Sequence, residues 1–160
     1  VLEFIDAFQK HLYIEDQSLL PSYCKGLVHF YSQNHVQSAL IFRDIIQRDP
    51  DDHLLGFESR NLLLKSYFHR FEDLTLEEYE DLHRLIDSFR MYVRRNNKLS
   101  EFQHKSYLNF IHYFNQMVRH LEEHGNGTPY PKTMHIQIKN LKFITNKKWL
   151  LDRIEEKSKA

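Results

Sequence analysis

Histidine is the first candidate for chemistry in this chain, with eleven copies in 160 residues. His120 and His124 stand four apart, so on a helix they share a face, with Glu122 and Glu123 between them. A zinc-protease helix needs its glutamate directly after the first histidine, and Leu121 occupies that place. No third ligand presents itself, so the pair reads as exposed histidines at a helix end and no metal site is expected. Cys24 is the single thiol, next to Lys25 and five positions before His29. Five positions along a helix lead to another part of its surface, so no cysteine–histidine couple is expected and structural burial is. The carboxylate pairs Asp51-Asp52, Glu77-Glu78 and Glu122-Glu123 read as helix-end or surface charge, since acids in a first turn complement the helix dipole. There is no glycine-rich phosphate loop and no strand to precede one. Neither catalytic residues nor a cofactor are expected, and the chain reads as a non-enzyme.

Binding chemistry offers more. Arg84, Arg90, Arg94, Arg95, Lys98 and Lys105 gather around one helix junction, interleaved with Tyr92 and His104. Lys139, Lys142, Lys147 and Lys148 form a second basic group. Such arrays can neutralise phosphates while aromatics stack on bases, which makes nucleic-acid binding the alternative reading. Against it, Asp87 and Glu101 interrupt the first group, and arginines at a helix C-terminus have a local electrostatic reason. The net charge is zero, yet residues 1–80 carry 7 basic and 14 acidic side chains and residues 81–160 carry 15 and 8. That asymmetry reads first as charge balance within a set of solvated helices and second as two faces for different partners.

The elements that must position these residues are helices. Hydrophobic residues make up 41% and charged residues 28%, a globular balance, and only four glycines and four prolines disfavour a turn-rich β fold. A first helix is expected from Val1 to about Leu12, with Leu2, Ile5 and Phe8 or Leu12 as one apolar stripe. Pro21 fits only the first turn of the next helix. Asp51-Asp52 caps a fourth helix over His53 to Arg70, apolar on more than one face and so expected between neighbours. Thr75 with Glu78, and Ser100 with Gln103, are capping boxes that start a fifth helix ending near Arg95 and a sixth ending near Glu123. The stretch from His124 to Pro129 is a loop. A seventh helix is expected from Lys132 to Ile144, then Asn146 caps a last one holding Trp149, Leu150 and Ile154.

The segment 19–52 is the most regular. Leu20, Tyr23, Leu27, Phe30 and Tyr31 recur at helical spacing, as do Val36, Ala39, Leu40, Ile41 and Ile45, with only Ser32 to His35 between them. That gap suits a return turn between two antiparallel helices. Gly26 costs roughly 1 kcal/mol against alanine in mid-helix, which makes sense where a neighbouring helix approaches closely. Asp49-Pro50 ends the pair. Gly26, Ser38, Phe42 and Pro50 follow one another at the intervals of a tetratricopeptide repeat, a helix–turn–helix unit of about 34 residues, which the segment resembles. The departures are Ser22, Lys25 and Ile45, where that family carries a large aromatic, leucine and alanine. The pattern from Arg60 through Phe114 further resembles the C-terminal part of a group of uncharacterised bacterial repeat proteins, a resemblance over about Ser18 to Glu156 that brings no activity with it.

The resemblance implies an all-α fold over residues 1–160: a single domain of about eight helices in a right-handed stack of antiparallel pairs, an α-solenoid, closed by a capping region over 130–160. It also implies a concave face lined by Tyr23, Leu27, Phe30 and Tyr31, and by Asn61, Lys65, Phe68 and His69 in the next pair, where a protein or peptide would bind. Members that clamp a carboxylate use lysine and asparagine in the first pair. Tyr23 and Leu27 stand there instead, so no such clamp is expected. No apolar run reaches membrane-spanning length and nothing at the start resembles a signal peptide. The single cysteine suits a reducing compartment, and a cytoplasmic setting is expected. The start at Val1, without methionine, reads as a fragment of a longer protein.

Overall fold

A computed structural model describes residues 1–9, 19–48 and 53–159. Among them are eight α-helices and no strand: α1 (Leu2–Gln9), α2 (Leu19–Tyr31), α3 (His35–Gln47), α4 (His53–His69), α5 (Leu76–Arg95), α6 (Glu101–His124), α7 (Lys132–Asn140) and α8 (Lys147–Lys159). The chain divides into two compact units, 1–85 and 86–160, and α5 gives its first half to one and its second half to the other. The expected positions Leu12, Pro50, Asp51 and Asp52 lie outside the described residues.

In the first unit α2 and α3 fold back on one another through Ser32, Gln33 and Asn34. Gln33 takes a left-handed φ of 62°, and the Asn34 carboxamide oxygen accepts from the Gln37 backbone N–H at 3.3 Å to cap α3. Gly26 sits at the crossing: a Cβ built on it would lie 2.8 Å from Cζ of Phe42, which is fully buried. The glycine therefore exists to let Phe42 close on α2, as its spacing anticipated. Ser38 is the second small residue of the pattern. It is fully buried, and its hydroxyl meets that of Ser66 on α4 at 3.1 Å, while Ser66 Oγ also donates to the Leu62 carbonyl at 2.8 Å.

Helix α4 is buried from Gly56 to Phe68 on every side but Glu58. Phe57, Leu62, Leu63, Leu64 and Tyr67 form its apolar part, packed with Phe42, Ile45 and Leu82 in the core. A helix apolar all round has this fate, and the sequence pattern predicted it. Arg43 of α3 donates to the Tyr67 hydroxyl at 2.5 Å and pairs with Asp81 of α5 at 3.0 Å, tying three helices together. Before α5, Arg70 holds Glu78 through two bonds of 2.8 and 3.2 Å, and the expected capping box closes: Thr75 Oγ1 accepts from the Glu78 N–H at 3.2 Å and Glu78 accepts from the Thr75 N–H at 3.1 Å.

In the second unit the Ser100–Gln103 box opens α6. Phe110, Ile111, Phe114, Met117 and Val118 are fully buried along it, and Gly125 ends it with a φ of 73°. Helix α7 stops at Asn140, four residues short of the expected end. Leu141 turns extended, and the following segment is captured by α6: Asn109 donates to the Phe143 carbonyl at 2.7 Å and the Thr145 N–H donates to the Ser106 carbonyl at 3.2 Å. These contacts join residues more than thirty positions apart, so local spacing held no sign of them. Trp149 of α8 then stacks on Phe114 at 6.0 Å, with Leu150 and Ile154 buried.

Candidate partner-binding face

The eight positions expected to line a groove separate into a floor and a rim. Phe30, Asn61, Lys65 and Phe68 are buried. Tyr23, Leu27 and His69 are half-buried, and Tyr31 is 75% exposed. Phe30 joins the two helices, its ring 5.9 Å from His69 edge to face. His69 in turn stacks flat on His35, 4.3 Å between centroids, and Tyr31 meets Phe30 at 5.5 Å. Tyr23 packs edge-on against Phe42 at 5.8 Å. α2 thus presents Tyr31 outward while its other aromatics pack inward.

The floor is polar at one place. Asn61 is fully buried; its Nδ2 donates to Glu58 at 3.4 Å, and its Oδ1 is buried with no hydrogen-bond donor. Burial pushes the Lys65 ammonium down to about 8, against the pull of the Glu58 carboxylate. Tyr23 is pushed up to about 12, by burial first and by the nearby Glu58 charge second. Glu58 is therefore the electrostatic centre of this face. Asn61 is wholly buried and presents no surface to a partner in this conformation.

The basic cluster is partly spent on neighbours. Arg84 pairs with Asp81 at 2.5 Å, Arg90 with Asp87 at 2.8 Å and Lys105 with Glu101 at 2.7 Å, each one helical turn away. Arg94, Arg95 and Lys98 are exposed, with no ion pair among the described residues. In the second basic group Lys148 pairs with Asp152, and Lys147 donates to the Leu141 carbonyl at 2.8 Å.

Two expectations about single residues need correction. His120 is buried rather than exposed: its ring packs 4.8 Å from Tyr130 and its Nε2 reaches the Thr128 carbonyl at 3.3 Å, because the loop after α6 folds back over it. His124 remains exposed. Cys24 is half-buried rather than buried, since α2 covers only part of its own circumference with α3 and α4. Among the described residues no group of three or more His, Cys, Asp and Glu side chains is placed to hold a metal ion. No described helix is long and apolar enough to cross a membrane.

Spacing gave no sign of a second feature. Between α7 and α8 lies a cavity of about 380 Å³, lined by Tyr130, Lys132, His135, Ile136, Ile154, Glu155 and Ser158. Its walls come from two short helices brought together by the captured segment between them, and only the isolated polar–apolar mix of Lys132 to Ile136 was readable beforehand. No family model, curated protein or solved structure matches the chain.

Proposed function

We propose that the chain is a non-catalytic scaffold that binds a peptide or protein segment across the α2–α4 face. In this reading the helix pairs form a right-handed, tetratricopeptide-like stack, the 130–160 region caps it, and the protein works in the cytoplasm. One observation carries the reading: a large aromatic, Tyr31, stands 75% exposed on a floor of packed side chains. A rigid aromatic with a polar tip is the commonest anchor of protein recognition, and a packed floor limits the entropy lost on binding. Leu27, Tyr23 and His69 complete the accessible rim.

The test is affinity capture from lysate with the intact chain, a Tyr31→Ala/His69→Ala variant, and a nuclease-treated duplicate. Partners are expected to survive nuclease and to be lost, by about tenfold or more, on the double variant. Capture that ignores both substitutions sinks this reading. The second reading, nucleic-acid binding, rests on the exposed, unpaired Arg94, Arg95 and Lys98. It requires capture that vanishes with nuclease and an affinity whose logarithm falls against log salt with a slope of about −3 for three phosphate contacts.

A further inference from the structure

Two basic groups that lie far apart along the chain meet in the second unit. Lys98 and Lys105 flank the start of α6, and Lys139 and Lys142 flank the end of α7. Capture of the segment 141–145 by α6 brings them to one surface, through the contacts of Asn109 with the Phe143 carbonyl and of Ser106 with the Thr145 N–H. At the seam the Phe102 ring meets the Phe143 ring edge to face, 4.9 Å between centroids, although forty-one positions separate them. The Lys142 ammonium stands 5.2 Å from the Phe143 centroid. Phe102 is 55% exposed and Phe143 is half-buried. Lys147 donates to the Leu141 carbonyl at 2.8 Å, so the segment under the aromatic pair is held at both ends.

The charge at this seam favours a polyanion. Lys98, Lys139 and Lys142 are exposed and make no ion pair among the described residues. Lys98 stands four residues before Phe102 and Lys139 four before Phe143, so their Cα atoms lie within about 15 Å of the pair. Glu101, the acid beside Phe102, is held by Lys105 at 2.7 Å. Residues 86–160 carry 14 basic and 7 acidic side chains, so the field of this unit draws negative charge towards it. A chain of phosphates suits lysines set apart from one another, and a largely exposed ring offers a face on which a base can stack. A lipid surface fits less well, because one largely exposed ring at the seam would bury little apolar area in it. Stacking on a side chain needs bases that are not already stacked in a duplex, which favours a single strand.

We propose that the Phe102–Phe143 seam binds single-stranded nucleic acid, with a base stacked on Phe102 and the flanking phosphates on Lys98, Lys139 and Lys142. The inference rests on the second reading above, nucleic-acid contact by the basic half. It moves the centre of that contact from the turn after Arg94 and Arg95 to the aromatic seam. It leaves the peptide-binding face of the first unit as it stands.

Fluorescence anisotropy of the full chain tests this with a labelled oligothymidylate of about fifteen nucleotides, an abasic strand of equal length and a duplex of equal length. The oligothymidylate is expected to bind saturably, the logarithm of its affinity falling against log salt with a slope of about −2 for three phosphate contacts. The abasic strand should bind about tenfold more weakly. Phe102→Ala should weaken the oligothymidylate about tenfold, leave the abasic strand unchanged and keep the helical circular-dichroism spectrum. Phe102→Leu, which keeps apolar packing on Phe143 without a flat face, should weaken it to the same extent. Lys142→Gln should weaken both strands about threefold and flatten the slope by about 0.7. Binding that ignores Phe102→Ala and Lys142→Gln but is lost in Arg94→Gln/Arg95→Gln overturns the proposal and keeps the second reading. Absence of saturable binding to any of the three overturns both. Equal affinity for the abasic strand, or preference for the duplex, overturns the proposal. So does binding to phosphatidylserine vesicles with none to the oligothymidylate.

Discussion

The α2–α4 face and the α7–α8 cavity both bury polar groups, and they do so in opposite surroundings. On the first, Asn61 and Lys65 lie against side chains of their own unit, and one carboxylate, Glu58, serves as acceptor for Asn61 and as counter-charge for Lys65. Helix α4 answers part of its own polar groups one turn away, while Ser59 Oγ and Asn61 Oδ1 are buried without a partner. In the second, the Tyr130 hydroxyl is buried and has no hydrogen-bond partner. Polar groups closed in by their own neighbours carry a desolvation cost that serves packing and register. A buried hydroxyl with no partner carries the same cost without a hydrogen bond to offset it. Arg60 and Ser66 of α4 donate to carbonyls one turn back, whereas the Tyr130 hydroxyl has no partner.

Removing the buried charge of the first region should have the largest effect. Burial lowers the Lys65 pKa from 10.5 to about 8, so between those values the unfolded chain holds a proton that the folded chain has released. Parent stability should thus rise with pH across that window relative to a Lys65→Met variant. Below about 8 both states are charged and the full cost is present, so Lys65→Met should gain up to about 3 kcal/mol at pH 7. Urea unfolding of both proteins at pH 7 and above pH 10 measures it. An advantage that does not shrink at high pH would show that Lys65 carries no buried-charge penalty.

Next comes the hairpin that supports this face. Gly26→Ala should destabilise by about 1–3 kcal/mol despite the gain in helix propensity, because the new methyl meets the fully buried Phe42 ring. Pairing it with Phe42→Leu should recover part of the loss in thermal melts. Full stability of Gly26→Ala alone would mean that the α2–α3 crossing is looser than drawn.

The smallest effects bear on the comparison most directly. Asn61→Leu removes an acceptor buried without a donor and should gain about 1 kcal/mol. Tyr130→Phe likewise removes a buried hydroxyl that has no partner and should gain up to about 1 kcal/mol. A loss of stability in either variant, measured by chemical unfolding, would show that the group it removes has a partner in the folded protein.

Much of this fold was legible along the chain. Both capping boxes, the return turn at Ser32 to Asn34, the role of Gly26 and the burial of α4 follow from residue types at fixed short intervals. The caps and the turn are local, set within about one helical turn, while Gly26 and α4 were readable because residue type alone marks a close approach or an all-round apolar surface. The candidate face was legible only as a set of eight positions. Spacing put them on one side of α2 and α4, and could not say that Phe30, Asn61, Lys65 and Phe68 would form a floor while Tyr31 stayed outside. Burial depends on what packs from the neighbouring element, and His35 stacking on His69 is such a contact.

By itself the sequence determined the helical class, the boundaries of α5 and the start of α6, because periodicity and caps act through the backbone nearby. Tertiary structure alone decided the early end of α7, the burial of His120 and the cavity that follows from both. Each depends on a long-range contact: Asn109 with the Phe143 carbonyl, the Thr145 N–H with Ser106, and the loop after α6 folding onto His120. A helix ends where competing partners capture its carbonyls and amides. Residues distant in sequence supply those partners, and only folding brings them together.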